Sequence, residues 1–416
     1  MDRSYAQDLD REDPLRAFRD RFHIPQNPDG TPKIYFCGNS LGLQPKTTRA
    51  CLDEELKIWA EKGVEGHFEE PYPWYSYHEP LQEPLARVVG ARPSEVVAMN
   101  SLTTNLHLLM TTFYRPTNRR YKILIEAGAF PSDLYAVQSQ ALLHGFDPRE
   151  AIIQAAPHEG EHTLDTEQIL ELIAHHADDL ALVLFGGVNY YTGQFFDLKA
   201  ITEAGHNAGA RVGFDLAHAA GNVPLKLHDW GPDFAAWCSY KYMNSGPGAV
   251  SGIFVHDRHG DAPELPRFAG WWGTDPATRF QMGTTFTPQK GAAGWQLSNA
   301  PVLSMAALRA SLEIFDDATM AALREKSETL TTYLQALLED IPHSPFQIIT
   351  PSTIDARGCQ LSILAPGLAD QIDQALQAAG VVCDVRRPDV IRVAPVPLYN
   401  TFDEVWRFAD ILRRAV

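Results

Sequence analysis

The sequence predicts an α/β fold in two parts, a large domain with a mostly parallel central sheet flanked by helices and a smaller α+β domain. Three observations predict it. Through the middle of the chain, short apolar runs alternate with amphipathic stretches, the pattern of successive βα units. After about Ser298 the pattern changes to long Ala- and Leu-rich helical stretches followed by alternating strand-like segments. And 416 residues exceed one ordinary domain but suit a large unit with a small one. The expected division is a large domain over 50–311 and a C-terminal domain over 312–416, with an arm over 1–49 packing on the latter.

Taken in order, strands are expected at Val96–Met99, Lys122–Glu126, Ala151–Ala155, Leu180–Phe185, Arg211–Asp215, Ala235–Cys238 and Ile253–His256. Each is a short apolar run, as strands buried on both faces require. Helices are expected at Leu102–Phe113, Ser132–His144, Thr166–Ala177 and Ala200–Ala208, where apolar residues recur at helical spacing. Ser132, just after Pro131, reads as an N-cap, and Gly145 as a C-cap. In the tail, Pro301–Phe315 and Met320–Glu339 read as long helices. Phe346–Thr350, Cys359–Leu364 and Val381–Val385 read as half-buried strands, and Ala369–Ala379 and Phe402–Arg414 as covering helices.

Composition narrows the function. A net charge of −17 disfavours non-specific binding to nucleic acid. No apolar run approaches the roughly 20 residues of a membrane span, and Met1–Asp13 lacks the apolar core of a secretory signal. Five scattered cysteines (Cys37, Cys51, Cys238, Cys359, Cys383) point away from a disulfide framework and toward a reducing, cytoplasmic setting.

The strongest local signal is Ser239-Tyr240-Lys241-Tyr242-Met243-Asn244-Ser245-Gly246-Pro247-Gly248. A lysine follows an apolar strand and enters a Gly/Pro-rich loop, where backbone turns sharply close to a ligand. A partly desolvated amine there can form an imine. Alone, Lys241 reads better as a surface lysine at a loop mouth. It has company. Asp215 ends the strand Arg211–Asp215, at the edge where α/β sheets bind ligands, and His218 follows three residues later. A carboxylate in that position suits the pyridine nitrogen of pyridoxal 5'-phosphate (PLP), which it keeps protonated. Taken singly, Asp215 is also a possible helix N-cap and His218 a structural histidine. Asn100–Asn105 and Phe130–Asp133 each join a strand to a helix, so free backbone N–H groups converge there as a phosphate cradle requires. Cradle, acid and lysine, in that order, fit one cofactor.

With these residues and Gly38-Asn39-Ser40-Leu41-Gly42, Gly270-Trp271-Trp272-Gly273, Leu297-Ser298-Asn299 and Arg392–Asn400, the chain resembles the kynureninases over nearly its whole length. These are PLP enzymes of the aspartate-aminotransferase fold type, fold type I. The resemblance implies PLP as cofactor and hydrolytic Cβ–Cγ cleavage of kynurenine-type amino acids to an anthranilate and L-alanine. It implies that Leu102, Thr103, Phe130, Pro131, Ser132 and Asp133 contact the cofactor. It puts Asp215 on the pyridine nitrogen, His218 and Tyr240 near ring and phosphate, and Lys241 as the Schiff-base residue. Trp271 and Asn299 would reach the site of a neighbouring subunit, making a homodimer. Arg392 would clamp the substrate α-carboxylate, and Tyr240 would donate or relay a proton at the aryl ketone. His67, with Ser298 and Asn299, would line the aryl pocket, a His–Asn pattern that goes with 3-hydroxykynurenine as the favoured substrate. Family members often carry Ser or Thr where Gly186 stands, so a hydroxyl contact is lost and a backbone contact is expected instead.

Two signals are set aside. His158-Glu159-Gly160-Glu161-His162 spells H-E-x-x-H, but Pro157 and Gly160 make it a loop, whereas the zinc motif needs a helix. No metal site is therefore expected. Cys359 invites comparison with desulfurases, yet Gly358–Ile363 alternates like a strand, where a cysteine acts as a small inert hydrophobe.

Overall fold

Seven segments form the central sheet of the structure, a computed structural model that describes residues 2–416. Across the sheet the order is Val96–Ala98, Gly252–Val255, Phe234–Trp237, Arg211–Asp215, Leu180–Gly186, Lys122–Glu126 and Ile152–Ala155. Gly252–Val255 runs antiparallel to both neighbours; the other pairings are parallel. The carboxyl ends of the parallel strands, Val96–Ala98 included, therefore share one edge. Leu180–Phe185 is buried throughout, which is why it reads as a continuous apolar run rather than an alternation.

Two helices open at that edge. Leu102–Phe113 follows Val96–Ala98, and Pro131–Leu143 follows Lys122–Glu126. The second begins one residue earlier than expected. Phe130 is its N-cap without a side-chain bond, Pro131 stands in its first turn, and Ser132 lies inside the helix rather than capping it. Proline suits that turn because its missing N–H would be unpaired there anyway. At the far end His144 is the C-cap, and Gly145 follows in the left-handed region at φ +82°.

The tail builds a second, antiparallel sheet in the order Asp384–Arg386, Val390–Val393, Leu361–Leu364 and Gln347–Ile348. Helices Met320–Glu339, Ala369–Ala378 and Phe402–Ala415 cover it. Its apolar cluster draws in Ala6, Ile34 and Phe36 from the N-terminal arm. There the expected single strand Val381–Val385 is two. Val381–Val382 pairs in parallel with Ile34–Tyr35, while Asp384–Arg386 turns into the other sheet. Cys359 precedes its strand instead of lying in it.

The N-terminal part holds helices that the sequence reading left without elements: Arg3–Glu12, Thr48–Lys62 and Glu79–Val89. Arg3–Glu12 docks on the last helix. Asp10 accepts from the N–H groups of Phe402 and Asp403 at 2.7 and 2.9 Å, and Arg3 pairs with Asp403 at 2.6 Å. No helix of the described residues is long and apolar enough to cross a membrane.

Candidate active site

Where the shared strand edge meets the tail, a cavity of about 310 Å³ opens around Lys241. Its lysine sits in the turn after Phe234–Trp237, held from several sides. Ser239 Oγ donates to the Val250 carbonyl at 2.6 Å, and the Ser311 hydroxyl donates to the Met243 carbonyl. Gly42 N–H donates to the Tyr240 carbonyl at 2.8 Å, so the Gly38–Gly42 segment lies flat on the lysine turn. A Cβ at residue 42 would stand 2.3 Å from the Lys241 carbonyl oxygen, an approach only glycine permits.

Lys241 Nζ lies 3.0 Å from His218 Nε2. Burial, then the charges of Lys241 and Arg392, hold His218 well below the usual histidine range, so the ring is neutral. Nε2 then accepts from the Lys241 amine, which leaves the ring proton on Nδ1, a buried atom with no partner among the described residues. Lys241 Nζ also stands 5.9 Å from the ring centres of Phe130 and Tyr240. Burial raises the Tyr240 phenol, so it stays protonated and able to donate.

Asp215 is 7% exposed and accepts from Ala217 N–H at 2.7 Å in a tight turn; no helix follows for it to cap. Asp133 reaches it from the neighbouring helix. Burial, and then Asp215, push Asp133 well above the carboxylate range, so Asp133 keeps the proton and donates it to Asp215. A third acid, Glu126, ends the strand Lys122–Glu126 and also lines the cavity. Its two oxygens accept from Gly186 N–H at 3.3 and 3.1 Å, and burial pushes it up to about 7. A Cβ at residue 186 would come within 2.8 Å of Glu126 Oε1. The missing side chain at Gly186 thus makes the room that Glu126 uses. Sequence reasoning missed Glu126, although it obeys the rule that found Asp215, an acid at the carboxyl end of a buried strand.

Opposite the acids, the N-termini of Leu102–Phe113 and Pro131–Leu143 converge. Thr103 and Ser132 hydroxyls are 2.7 Å apart, and neither helix has a side-chain cap. No side-chain cap thus takes up the N–H groups of Leu102, Thr103 and Ser132 at the positive helix ends, a fit for a phosphate. The residues suit PLP at both ends: an anion cradle on one side, a buried carboxylate and a lysine amine on the other.

The structure brings Leu102, Thr103, Phe130, Ser132, Asp133, Gly186, Asp215, His218, Tyr240 and Lys241 to this cavity. Pro131 lies behind it in the helix. His67, Trp271 and Asn299 are elsewhere, gathered with Phe68, Tyr75 and Phe280 around a separate apolar pocket of about 210 Å³. Ser298 lines neither. Arg392 also stands back from the cavity: it is buried, and its guanidinium bonds Asp384, the Tyr190 carbonyl and Ser40. The arginine that lines the cavity is Arg386.

The two signals set aside on sequence grounds can be located. His158–His162 is a turn and loop, so its histidines do not share a helical face. Cys359 is 1% exposed and its thiol is pushed up to about 12 by burial, far from a reactive thiolate.

Solved structures share the fold. A cysteine desulfurase CsdA from Escherichia coli superposes with a TM-score of 0.77 at 18% identity, covering 96% of this chain and 98% of that one. A C-DES structure with glycine covalently linked to its PLP cofactor gives 0.75 at 19% identity, covering 94% and 99%. At such identities the likeness concerns fold alone. Sequence relatives are much nearer. A kynureninase from Myxococcus xanthus is 58% identical over 409 residues, 98% of this chain and 96% of its own. One from Koribacter versatilis is 56% identical over 407 residues, again 98% and 96%, and one from Coccidioides immitis 51% over 443, covering 98% and 93%. The family model described as the kynureninase C-terminal domain matches residues 323–412. With its lysine cavity built to hold PLP and relatives this near along almost every residue, the chain belongs to the kynureninase family.

Proposed function

We propose that the chain, as a PLP-dependent kynureninase, hydrolyses the Cβ–Cγ bond of 3-hydroxy-L-kynurenine in preference to L-kynurenine, releasing the matching anthranilate and L-alanine. The observation that carries the reading is the cavity in which Lys241 faces buried Asp215 across from two uncapped helix ends, in a chain 58% identical to a kynureninase. When bound, PLP supplies an electron sink for the carbon that bears the substrate amino group. Asp215 holds a negative charge where the ring nitrogen would lie, and Asp133 steadies it by donating its proton. Lys241 would hold the cofactor through its amine, and the same amine would move the substrate's α-proton. Neutral His218 accepts from that amine and orients it. Tyr240 gives and retakes a proton at the aryl ketone while water adds to it.

The pocket around His67 and Asn299 supports a homodimer in which each subunit completes its partner's site. Trp271, Phe68 and Phe280 are 43–66% exposed around it, an apolar surface large for a monomer to leave open. There His67 Nδ1 donates to the Val64 carbonyl at 3.0 Å, which leaves Nε2 as an acceptor for a ring hydroxyl. Without that hydroxyl the site's polar groups are left unpaired, so the unsubstituted substrate binds less well. We also assign the protein to the cytoplasm, in tryptophan breakdown or NAD biosynthesis, and divide it into domains at 50–311 and 312–416 with the 1–49 arm on the latter. Incubation with both substrates tests the activity through release of L-alanine and the fluorescent aryl product. The expected specificity constant is higher for 3-hydroxykynurenine, with the ratio shrinking in His67→Trp and Asn299→Thr. A wild type that favours kynurenine would refute the pocket assignment and leave the lysine site intact.

A further inference from the structure

Away from Lys241, the amino end of the edge strand Val96–Ala98 carries a cluster of side chains that the mechanism above does not use. Glu95 immediately precedes that strand. His256 and Asp257 follow its antiparallel neighbour Gly252–Val255, and His228 lies in the short helix Leu227–Trp230. One nitrogen or oxygen from each of the four lies within 4.8 Å of every other. Val96 pairs with Phe254 and Ala98 with Gly252, so the cluster stands at the opposite end of the sheet from Leu102 and the lysine cavity.

The separations suit a single ion. His228 Nδ1 is 3.0 Å from Glu95 Oε1, and His256 Nδ1 is 3.8 Å from the same oxygen and 3.0 Å from Asp257 Oδ1. Tetrahedral ligands at the usual zinc distances stand roughly 3.3 Å apart. The two imidazole rings lie nearly parallel, 23° between planes, with both Nδ1 atoms turned to one carboxylate. Arg92 holds the outer oxygens. Its backbone N–H donates to Glu95 Oε2 at 2.8 Å, and its guanidinium pairs with Asp257 Oδ2. The inner oxygens, Glu95 Oε1 and Asp257 Oδ1, are the ones left facing the histidines. Partners of this kind fix the direction in which a ligand atom points.

Hydrogen bonds among the four leave the cluster unfinished. His228 Nδ1 can donate to Glu95 Oε1, but His256 cannot do the same for Asp257. Its Nδ1 already accepts from Arg258 N–H at 3.2 Å. Burial, and then the Arg258 charge, hold the ring below the usual histidine range, so no proton stands between Nδ1 and Asp257 Oδ1. Two lone pairs therefore meet at 3.0 Å, with Glu95 Oε1 close by. Such a set of acceptors calls for a cation. The long bond from Arg258 is exposed, and water can replace it. Glu95 is fully buried, while the side chains of His256, His228 and Asp257 are 13%, 24% and 34% exposed and give an ion a way in.

We propose that Glu95, His228, His256 and Asp257 form a structural site for a divalent transition-metal ion, Zn2+ being the best fit, which clamps the edge of the central sheet to the helix Leu227–Trp230. Two imidazoles with two carboxylates favour such an ion over Mg2+ or Ca2+, which prefer oxygen alone. The carboxylates balance its charge, against the nearby guanidinium groups of Arg92 and Arg258. His228 binds as the neutral ring, its proton moving to Nε2. The ligands come from three distant segments, so the chain spells no linear motif for them, whereas His158–His162, which does spell one, is a loop.

The test uses the PLP-loaded protein, freed of metal by dialysis against a chelator and then titrated with ZnCl2 or CoCl2. Wild type is expected to retain one ion per chain through gel filtration and to melt at a higher temperature with Zn2+ than without. With Co2+ it should show the intense visible bands of four-coordinate cobalt, to the red of the cofactor. His228→Gln keeps a donor toward Glu95, and His256→Asn keeps an acceptor for Arg258 N–H, so both should fold and retain PLP. Each should bind Zn2+ at least about tenfold more weakly and lose the thermal shift. The double variant His158→Ala, His162→Ala should bind as wild type does. Full affinity in both single variants, or loss of binding in the double variant, overturns the proposal in favour of an adventitious ion only. Should a single variant fail to fold, the wild-type cobalt spectrum still decides, since weak six-coordinate bands or no retained ion overturn the site as well.

Discussion

Around Lys241, individual side chains are defined less by identity than by which neighbour holds a proton. Three carboxyl groups, Asp215, Asp133 and Glu126, face one cavity, and like charges so buried cannot all ionise. Asp133 stays protonated and leaves Asp215 as the anion. Asp215→Asn should therefore keep the fold but lose most turnover, since an amide cannot hold a ring nitrogen protonated; unchanged turnover would make Asp215 a turn-former only. Lys241→Ala should abolish both the cofactor's lysine-dependent visible absorbance and the activity. Glu126 has a folded value of about 7, above that of an unfolded glutamate. Its neutral form is thus favoured in the fold, a penalty that is absent at pH 4, grows as pH rises toward 7 and levels off above it. Glu126→Gln removes that burden. Between pH 5 and pH 8 it should lose roughly 3 kcal/mol less stability than wild type, read from urea midpoints.

Elements were readable from sequence where one buried run makes one strand. Lys122–Glu126, Arg211–Asp215, Leu102–Phe113 and Met320–Glu339 end where their patterns predict. Boundaries slipped where a distant segment decides them. Val381–Val385 divides because Ile34–Tyr35 captures its first half, a long-range pairing that local alternation does not encode. Arg392 was legible as an arginine in a distinctive stretch, but its withdrawal behind Asp384 depends on the adjacent strand. Glu126 was overlooked because it closes an otherwise ordinary strand. One more buried acid, Asp233, shows how strand ends are fastened. It accepts from Val212 N–H at 2.8 Å and pairs with His206, Arg211, Arg258 and His259, tying the start of Arg211–Asp215 to the turn after Gly252–Val255. These partners hold its carboxyl far below the usual range despite burial. Its stabilisation is present above the unfolded value near pH 4 and is lost as pH falls below it. Asp233→Asn should destabilise by about 1–3 kcal/mol at neutral pH, leaving buried His259 and the part-exposed His206, Arg211 and Arg258 without their shared carboxylate, and should flatten the acid limb of urea unfolding.

As a whole molecule, one subunit holds a lysine cavity and, apart from it, an aromatic pocket with His67 and Asn299. If each pocket serves the partner's lysine, two inactive variants should complement one another. Co-expressed Lys241→Ala and Asn299→Ala chains would form mixed dimers with one site intact in every part, recovering roughly a quarter of wild-type activity. Each variant alone would stay near zero. No recovery in verified mixed dimers would mean that each subunit acts on its own.

Gly42 resting on the lysine turn has a consequence for how the chain is made. Residue 42 leaves the ribosome early, but the turn it closes over, at Tyr240, is synthesised nearly two hundred residues later. Arg3 and Asp10 wait longer still, for partners at Asp403 and Phe402. Contacts of such sequence separation form late and slow folding. The nascent chain can stack its central βα units during translation, but Ile34–Tyr35 waits for Val381–Val382 and Arg3–Glu12 waits for the last helix. A ribosome stalled after Gly252–Val255 but before that helix carries a built sheet with its arm undocked, and the arm is where a protease or chaperone would find it.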